Sequence, residues 1–303
     1  MLRRAKRVIM NPSLLVTHTL NRIVTMIPDD ELYIKLMWKL SRLNYPLNLS
    51  NPQTFNEKLQ WLKLHDRNPK YTIMVDKIRV KEWVASKIGE QHIIPTLGVW
   101  EAPEDIDFDS LPNQFVLKCN HNSGIGVYVC KDKRLMNKKK VIKDLKKGLQ
   151  QNYYKEGREW PYKNVKPMVL AEKYMEDESG FELKDYKVFN FNGEPKIIEI
   201  DYDRFIGHKR HLYDVDWNKI DATIEFPSDP DRSFEKPKVL DQLLSLARTL
   251  SEGIPHVRTD FYIVRDRIYF GEMTLFHGSG LEHITPLDFD KQMGSWLILP
   301  ALT

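Results

Sequence analysis

The stretch from His256 to Gly280, HVRTDFYIVRDRIYFGEMTLFHGSG, constrains the fold most strongly because it predicts a β-hairpin that carries two acids. β-Branched and aromatic side chains, which favour strands, flank a charged turn at residues 265–267. We expect Asp260 to open the first strand and Glu272 to close the second, so that their carboxylates lie near each other. Such a pair either repels or shares a cation, and a metal ion would remove the repulsion. The alternative is that both acids are solvated at strand ends.

A small, polar segment follows the second acid. Thr274 and the His-Gly-Ser-Gly run at 277–280 suit close approach by a ligand and do not suit a core. His277 is the preferred candidate for substrate contact because it lies just beyond the two acids, although a surface histidine usually has no such role. Weaker candidates for a substrate pocket are His211, His283, Ser279 and Asp288.

The composition excludes several classes of protein. The 303 residues can hold one large domain or two modest ones, with enough apolar residues for a core. Cys119 and Cys130 lie in no CxxC or Cys/His cluster, so neither a disulfide framework nor a zinc motif is expected, which indicates a reducing cytoplasm. A net charge of +4 is far from the concentrated basic face of a nucleic-acid binder.

Membrane association is restricted to the start of the chain. No run approaches the roughly 20 apolar residues that span a bilayer, and residues 1–28 lack the long apolar region and cleavage site of a signal peptide. Their basic beginning and spaced leucines and isoleucines are compatible with an amphipathic helix on a membrane surface. A helix packed on its own domain is the preferred interpretation.

Apolar spacing predicts the helices. A turn at Asn51-Pro52 leads into a capping box, in which Glu57 reaches back to Thr54. The lysine-rich residues 137–148 have a buried apolar side, so their charged face is interpreted as solvated. The predicted helical regions are residues 30–65, 76–89, 137–148 and 237–251.

A second informative stretch is FVLKCNHNSGIGVYVC, from Phe115 to Cys130. Two β-prone runs flank the loop 120–126, whose glycines allow backbone N–H groups to face an anion. Lys118 ends the first run and adds a positive charge beside the loop. These features indicate a phosphate-binding flap, and the alternative is a long hairpin with a flexible tip. A Walker P-loop is excluded because no Gly-Lys-Ser/Thr opens a helix.

Further strands carry cations. Residues 168–174 predict a short buried strand, and residues 185–204 predict a hairpin around Asn192-Gly193, the strongest hairpin signal. Lys187 and Arg204 lie on or just after these strands. An aromatic and charged segment from Tyr153 to Tyr162 precedes them.

Six motifs, taken in order, resemble the ATP-grasp superfamily, and most closely the TupA-like ATP-grasp family. They are TFNEKLQWLKL, MVDKIRVKEWV, FVLKCNHNSGIG, DYKVFNFNGEP, VRTDFY and FGEMTLFHGSG, and they cover about residues 50 to 300. Members of that family tend to lie in bacterial capsule, O-antigen and teichuronopeptide gene clusters and are often labelled glycosyltransferases.

The resemblance implies an α+β fold in which two lobes with antiparallel sheets clamp ATP. The expected organisation is a helical region at 1–90, a first lobe with the flap at 91–170 and a second lobe with the metal site at 171–303. In such enzymes a carboxylate takes the γ-phosphoryl group of ATP, and an amine attacks the resulting acyl phosphate to give an amide.

The resemblance also implies roles for individual residues. Lys118 would match the flap-strand lysine that holds the α and β phosphates of ATP, and Ser123, Gly124 and Gly126 would form the flap itself. Lys77 resembles the upstream, ATP-binding lysine of the superfamily. Backbone groups at Glu172 and Tyr174 would read the adenine edge. The transferring phosphoryl group or the substrate carboxylate would be held by Lys187, Arg204 and Arg258.

Asp260 and Glu272 would bind Mg²⁺, because hard oxygen ligands suit this ion and phosphoryl transfer depends on charge neutralisation. The chain departs from the superfamily in one position. Most members have Glu-x-Asn, whereas this chain has Glu272-Met273-Thr274, so that a hydroxyl replaces an amide oxygen as the third ligand. The number of bound ions is therefore left open.

Three functions are weighed. The leading hypothesis is an ATP-dependent carboxylate-amine ligase that joins an amino acid or amino alcohol to a uronic-acid-bearing glycan precursor. The second is a glycosyltransferase that uses a nucleotide sugar, because Asp201-Tyr202-Asp203 follows an apolar strand and Asp214-Val215-Asp216 repeats the DxD pattern. The third is a scaffold protein with a degenerate ATP-grasp fold, which the presence of Lys118, Asp260 and Glu272 disfavours.

Overall fold

Two larger antiparallel sheets organise the described part of the chain, each of them contains a hairpin, and a third sheet has only two short strands. The computed structural model describes residues 25–41, 43–178, 183–203 and 207–302. The amphipathic helix expected before residue 25 and the candidate Arg204 therefore lie outside the described residues. No helix within the described ranges is long and apolar enough to cross a bilayer.

The helices are α1 (Asp30–Ser41), α2 (Phe55–His65), α3 (Lys70–Val75), α4 (Arg79–Ile88), α5 (Lys138–Leu149), α6 (Tyr153–Gly157), α7 (Leu240–Ser251) and α8 (Leu287–Trp296). The strands are β1 (Thr96–Trp100), β2 (Phe115–Cys119), β3 (Val127–Cys130), β4 (Val169–Lys173), β5 (Asp185–Phe191), β6 (Glu194–Tyr202), β7 (Lys209–Tyr213), β8 (Thr223–Ile224), β9 (His256–Val264), β10 (Arg267–Thr274) and β11 (Ile284–Thr285).

The start of α2 confirms the predicted capping box. The Thr54 hydroxyl accepts a hydrogen bond from the backbone N–H of Glu57 at 3.1 Å, and a carboxylate oxygen of Glu57 accepts one from the backbone N–H of Thr54 at 3.0 Å. Two otherwise unpaired donors at the helix start are thus satisfied. The turn at Asn51-Pro52 separates α2 from α1.

The first sheet has the strand order β1-β4-β2-β3 and contains the predicted flap hairpin. Phe115 pairs with Cys130 and Lys118 with Val127, so the two predicted β-prone runs pair with each other on either side of the loop 120–126. Helix α5 packs below β2 and β3, and Val141 and Leu145 fill the core between them. β4 spans residues 169–173 and belongs to this sheet.

The second sheet has the order β10-β9-β5-β6-β7. The Asn192-Gly193 hairpin forms as predicted, with φ values of 49° and 85° in the left-handed region that such turns require. Helix α7 packs against β5, β6 and β9. Because side chains alternate along a strand, the cross-strand partners Lys187, Glu199 and Asp260 lie on one face of this sheet.

The architecture confirms the predicted α+β class with antiparallel sheets. The N-terminal helices are fastened to the second sheet, because Phe55 of α2 packs edge-to-face on Phe191 at 5.6 Å and on His256 at 4.7 Å. Helix α8 completes this attachment, since Lys58 donates to the carbonyls of Gly294 at 2.8 Å and Leu297 at 2.7 Å. The helical region is thus part of the scaffold that positions the second sheet.

We predict that Gly294→Ala destabilises the fold. A Cβ atom at Gly294 would lie 2.0 Å from the backbone oxygen of Gln53, and backbone cannot move aside as a flexible side chain can. Urea unfolding should show a loss of about 1–3 kcal/mol, the usual cost of overpacking. Gly207→Ala is the matched control, because no atom lies within 4 Å of its Cβ position. Equal stability of the two variants would contradict the close packing of α8.

Candidate active site

The two acids of the C-terminal hairpin are direct partners across β9 and β10. Asp260 pairs with Glu272 at a point where a β-bulge interrupts the register. Asp260 is 3% exposed, whereas the side chain of Glu272 is 39% exposed. The hairpin itself is confirmed, but Asp260 lies in the middle of β9 and does not open it.

A guanidinium group lies between these acids. Arg258 donates from Nε and Nη2 to the two carboxylate oxygens of Asp260, each at 2.7 Å. Its Nη2 also lies 3.3 Å from Oε1 of Glu272 and 3.2 Å from the hydroxyl of Thr274. Three oxygen-bearing side chains therefore converge on one positive charge.

This donor set fits a hard divalent cation. Carboxylate and hydroxyl oxygens are the ligands that Mg²⁺ prefers, and the position of Arg258 shows that Asp260, Glu272 and Thr274 can face one cation. In residues 25–302 with their gaps, no group of three or more His, Cys, Asp and Glu side chains is placed to hold a metal ion. Magnesium bound here would take its remaining ligands from phosphate oxygens and water, as it commonly does.

The surroundings move the pKa values of these acids in opposite directions. Burial raises the pKa of Asp260, and the guanidinium of Arg258 offsets this only in part. Burial also acts to raise the pKa of Glu272, but the charges of Lys77 and Arg258 outweigh it and bring that pKa below its ordinary value. The negative charge is therefore held most firmly at Glu272.

Lys77 connects the flap to this hairpin. Its Nζ donates to the carbonyl of Asn122 at 2.8 Å and lies 3.8 Å from Oε2 of Glu272. Burial lowers the pKa of Lys77, and the Glu272 carboxylate opposes that change. The side chain thus lies between the glycine-containing loop and the acids, where a phosphate group would bridge them.

Glu172 of β4 binds two lysines, Lys118 of β2 and Lys81 of helix α4. Its carboxylate lies 2.6 Å from Nζ of Lys118 and 2.5 Å from Nζ of Lys81. Burial acts to raise the pKa of Glu172, but the two ammonium groups lower it below its ordinary value. Tyr174 is half-buried, with Nζ of Lys131 at 6.0 Å from its ring centre. These are side-chain contacts, so adenine recognition by the backbone at Glu172 and Tyr174 stays a prediction.

The polar residues that begin the flap loop are structural anchors. Asn120 donates to Asp76 at 2.9 Å, and Asn122 donates to the carbonyl of Gly148 at 3.1 Å. These bonds tie the loop to the approach to α4 and to the end of α5. The flap is therefore held at its base.

The tip of the loop is free for a ligand. Ser123 and Gly124 are exposed, and Gly124 has a φ of +77° with no atom within 4 Å of its Cβ position. Gly126 differs, because a Cβ there would lie 2.7 Å from Sγ of Cys119. Close packing on α5 thus requires Gly126, whereas open space surrounds Gly124.

Lys187 is the centre of a buried ionic network. Its Nζ contacts Asp201 and lies 3.2 Å from Glu199, and its cross-strand neighbour is Asp260. Arg210 reaches the same acids, with Nε 2.7 Å from Asp201 and 3.3 Å from Glu199. Two cations and two acids are thus paired with each other on β5, β6 and β7, next to Asp260 of the hairpin β9–β10.

Three of the four aspartates in the two DxD patterns are bound within the protein. Asp201 is held by Lys187, Arg210 and His208. Asp203 pairs with Arg232 at 2.9 Å, and Asp214 accepts backbone hydrogen bonds within its own turn. A metal ion at either pattern would have to displace these partners. The structure therefore does not favour a nucleotide-sugar site at these residues.

His277 lies behind Arg258 and is buried, whereas a flexible, exposed position was expected; substrate contact by this residue stays a prediction. It is 2% exposed, and its Nδ1 accepts a hydrogen bond from Nη1 of Arg258 at 2.6 Å. Its Nε2 lies 2.9 Å from Glu282, although this contact is poorly aligned for a hydrogen bond. Both ring nitrogens face protein groups, so His277 orients Arg258.

Ser279 is held by α2. Nζ of Lys63 donates to its carbonyl at 2.7 Å and to its hydroxyl at 2.9 Å. Gln60 donates to the same carbonyl at 2.9 Å. Ser279 is half-buried in this arrangement, and substrate contact by its hydroxyl stays a prediction.

Sequence reasoning missed three members of the network: Glu199, Arg210 and Glu282. A signal was present for the first, because Glu199 and Asp201 alternate with isoleucines along β6 and so share one face. No local pattern indicates Glu282, whose carboxylate lies 2.8 Å from Arg210.

The profile of a protein family described as TupA-like ATPgrasp matches residues 57–298. That match covers most of the chain and all of the site residues named above. No curated protein sequence matches the chain.

Solved structures that resemble the chain are distant. D-alanine–D-alanine ligase from Helicobacter pylori is 13% identical and has a TM-score of 0.42, over 80% of this chain and 69% of that one. D-alanine–D-alanine ligase from Bacillus anthracis complexed with ATP is 14% identical, with a TM-score of 0.43 over 89% and 83%. D-cycloserine synthetase is 16% identical, with a TM-score of 0.41 over 76% and 71%. Since these scores lie below 0.5, the family assignment rests on the profile match.

We predict that Glu282→Gln changes the acid sensitivity of the fold. Burial acts to raise the pKa of Glu282, but His277 and Arg210 lower it well below its ordinary value of 4.5. Stabilisation by this carboxylate is therefore complete above about pH 4.5 and declines as the pH falls below that value. Urea unfolding between pH 6 and pH 3 should show a shallower decline for Glu282→Gln than for the unmodified protein.

The exposed variant Glu194→Gln is the control for this measurement, because Glu194 pairs with Arg248 at the surface. It should follow the unmodified protein at every pH. A pH dependence of Glu282→Gln that equals that of Glu194→Gln would contradict the assigned role of the network.

Proposed function

Because the chain belongs to the TupA-like ATP-grasp family, we propose that it attaches an amine to the carboxylate of a uronic-acid-containing precursor of a surface polysaccharide. It is an ATP-grasp enzyme, a ligase that forms a C–N bond, with ATP and Mg²⁺ as its cofactors. The amine proposed is an amino acid or an amino alcohol. Action in the cytoplasm, at the inner face of the membrane, belongs to the same proposal.

One observation carries this proposal: Lys77 joins the flap loop to an acid of the second sheet. Its Nζ bonds the carbonyl of Asn122 and lies 3.8 Å from Glu272. The charge of Lys118 on the flap strand also acts to lower the pKa of Glu272. Arg258 and Lys187 flank Asp260 on the opposite sheet. An anion with several charges and an associated divalent cation would complement both sides, as a nucleoside triphosphate with Mg²⁺ does.

The first step makes the carboxylate reactive. A carboxylate oxygen attacks the γ-phosphorus of ATP, the bond to the bridging oxygen breaks, and ADP leaves an acyl phosphate. Lys77 and Lys118 hold the α and β phosphates, while Lys187 and Arg258 neutralise charge on the transferring group. When bound at Asp260, Mg²⁺ supplies further neutralisation of phosphate charge.

The second step forms the amide. The amine nitrogen attacks the acyl carbon, the carbon–oxygen bond breaks, and the nitrogen loses a proton as inorganic phosphate leaves. His277 holds Nη1 of Arg258, so the guanidinium stays beside the acyl phosphate after it has turned from Asp260. Preorganised charge of this kind lowers the barrier because it needs no rearrangement during the reaction.

Apolar side chains next to Lys118 support binding of a base. Val127 and Val129 are 50% and 48% exposed on one face of β3. Lys118 and Val127 are cross-strand partners, so this apolar surface adjoins the proposed phosphate site. The proposed roles of Glu172 and Tyr174 in reading the adenine edge place the base on the same sheet.

The choice of a glycan carboxylate as the acceptor comes from the gene clusters in which the family tends to occur.

The proposed acceptor is tested by supplying the protein with uronic-acid oligosaccharides, ATP, Mg²⁺ and hydroxylamine, a small neutral nucleophile. Hydroxamate and ADP should form together. Absence of both products with every uronic acid would overturn the proposed acceptor.

We predict that Glu272→Gln weakens the use of magnesium. An amide oxygen binds Mg²⁺ less strongly than a carboxylate, so the half-saturating Mg²⁺ concentration for ADP release should rise by about 10- to 100-fold. Glu252→Gln, at the exposed end of α7, is the control. Unfolding in urea should show both variants folded. An unchanged magnesium requirement in Glu272→Gln would refute the metal role.

A further inference from the structure

Positive charge is concentrated in one part of the chain that the phosphate and metal sites do not use. Residues 131–150 contain nine Lys and Arg residues and two Asp residues, a net charge of +7. Because the whole chain carries +4, all the remaining residues together carry a net charge of −3. The segment consists of helix α5 and the turn before it. A charge asymmetry of this size indicates a surface for an anionic partner.

The lysines of α5 face outward, because the apolar side of the helix is already packed. Val141 and Leu145 are 3% and 1% exposed and belong to the core beneath the first sheet. Side chains four residues apart share one face of a helix, so Lys139, Lys143 and Lys147 form a stripe about 12 Å long. All three of these lysines are exposed. The outer face of α5 is thus a row of cationic side chains.

The lysine stripe has no acidic partners in the part of the chain that the structure describes. There, Lys139, Lys143 and Lys147 form no ion pair within 4 Å. The neighbouring side chains of Lys138 and Lys140 differ, because each lies 3.0 Å from an aspartate. The charge of the stripe is therefore available to a partner from outside.

Helix stability does not account for the position of these charges. The first turn of α5 holds Lys138, Lys139 and Lys140 and no acid. The start of a helix carries a partial positive charge, so acids stabilise it and cations oppose it. A merely solvated face, the interpretation from sequence, would be better served by acids at this end. A binding role explains a charge pattern that disfavours the helix itself.

An exposed leucine adjoins the stripe. Leu135 lies in the turn that leads into α5 and is 84% exposed. Arg134 beside it is exposed as well. Transfer of a leucine side chain from water to an apolar phase is favourable, and apolar side chains next to cations are typical of segments that bind membrane surfaces. Leu135 therefore favours a lipid surface over a soluble acidic polymer, which has no apolar interior.

We propose that α5 and the turn before it dock on an anionic lipid bilayer, with the lysine stripe on the headgroups and Leu135 entering the apolar layer. Because the core occupies the apolar side of α5, the helix itself stays at the surface and the attraction is mainly electrostatic. This inference rests on the proposed function for its location at the membrane, but the docking requires no ligase reaction.

Docking in this manner leaves the nucleotide side of the first sheet open. Leu117 and Cys119 of β2 share a core with α5. Lys118 lies between them in the strand and therefore points to the opposite face of the sheet, where its Nζ lies 2.6 Å from Glu172. A bilayer against α5 thus does not cover the proposed ATP site.

The test compares triple variants that lose the same charge. Lys139→Gln/Lys143→Gln/Lys147→Gln removes the stripe, and Gln has nearly the helix propensity of Lys. The full chain is sedimented with phosphatidylcholine vesicles that contain phosphatidylglycerol. The half-saturating lipid concentration should rise about 100-fold in this variant, because each lysine near an anionic surface contributes a factor of about five. Added salt should release the unmodified protein, since it screens the attraction.

The matched control is Lys39→Gln/Lys87→Gln/Lys196→Gln, whose lysines are exposed elsewhere on the molecule. Its affinity for the vesicles should stay within about threefold of that of the unmodified protein. Leu135→Ser should weaken binding about 5- to 10-fold, because it removes the apolar contact. Leu302→Ser, at a leucine that is 69% exposed, should not weaken it. All four variants should form hydroxamate from soluble uronic acids at the unmodified rate.

Equal vesicle binding by the two triple variants overturns the docking surface, as does equally strong binding to vesicles without phosphatidylglycerol. Unchanged affinity of Leu135→Ser contradicts entry of this side chain into the bilayer. Binding to polygalacturonate or double-stranded DNA without binding to any vesicle shows that the partner is a soluble polyanion, which also overturns the proposal. Failure of the unmodified protein to form hydroxamate overturns the ligase function, whereas vesicle binding, measured without ATP, decides the docking surface.

Discussion

The structure depends on the charge balance around Arg258. Its guanidinium makes two hydrogen bonds to Asp260, reaches Glu272 and Thr274, and is oriented from behind by His277. Removing the partner of a buried charge commonly costs 3–5 kcal/mol, so such a group needs its complement in place. The surrounding sheet meets this need with an alternating network, in which acids and cations satisfy each other across neighbouring strands.

The helical region and the aromatic segment hold this network in position. Helix α2 reaches the 277–280 loop through Gln60 and Lys63, and it packs Phe55 against the far end of the second sheet. The same loop packs against the aromatic segment, because the Ser279 hydroxyl lies 3.4 Å from the carbonyl of Gly157. The second sheet is thus braced by residues that lie far apart in the chain.

The local elements were predictable from sequence, whereas the ionic partners were not. The Asn192-Gly193 hairpin, the Thr54 capping box and the flap strands each follow from short-range chemistry and occur as expected. By contrast, His277 reads as a flexible loop residue but is buried, because its burial depends on the position of Arg258 across the hairpin. Glu282 likewise gains its partners only when β7 joins the sheet. The roles of individual residues toward ATP stay predictions, since they depend on the bound nucleotide.

A structure with a non-hydrolysable ATP analogue and Mg²⁺ would show how the hairpin holds the nucleotide. We expect phosphates between Lys77, Lys118 and the hairpin, with Mg²⁺ about 2.0–2.1 Å from oxygens of Asp260 and Glu272. Arg258 should have turned from these acids toward the γ-phosphate. A nucleotide bound away from the flap, or an Arg258 that keeps both bonds to Asp260 while no metal binds Glu272, would contradict this arrangement.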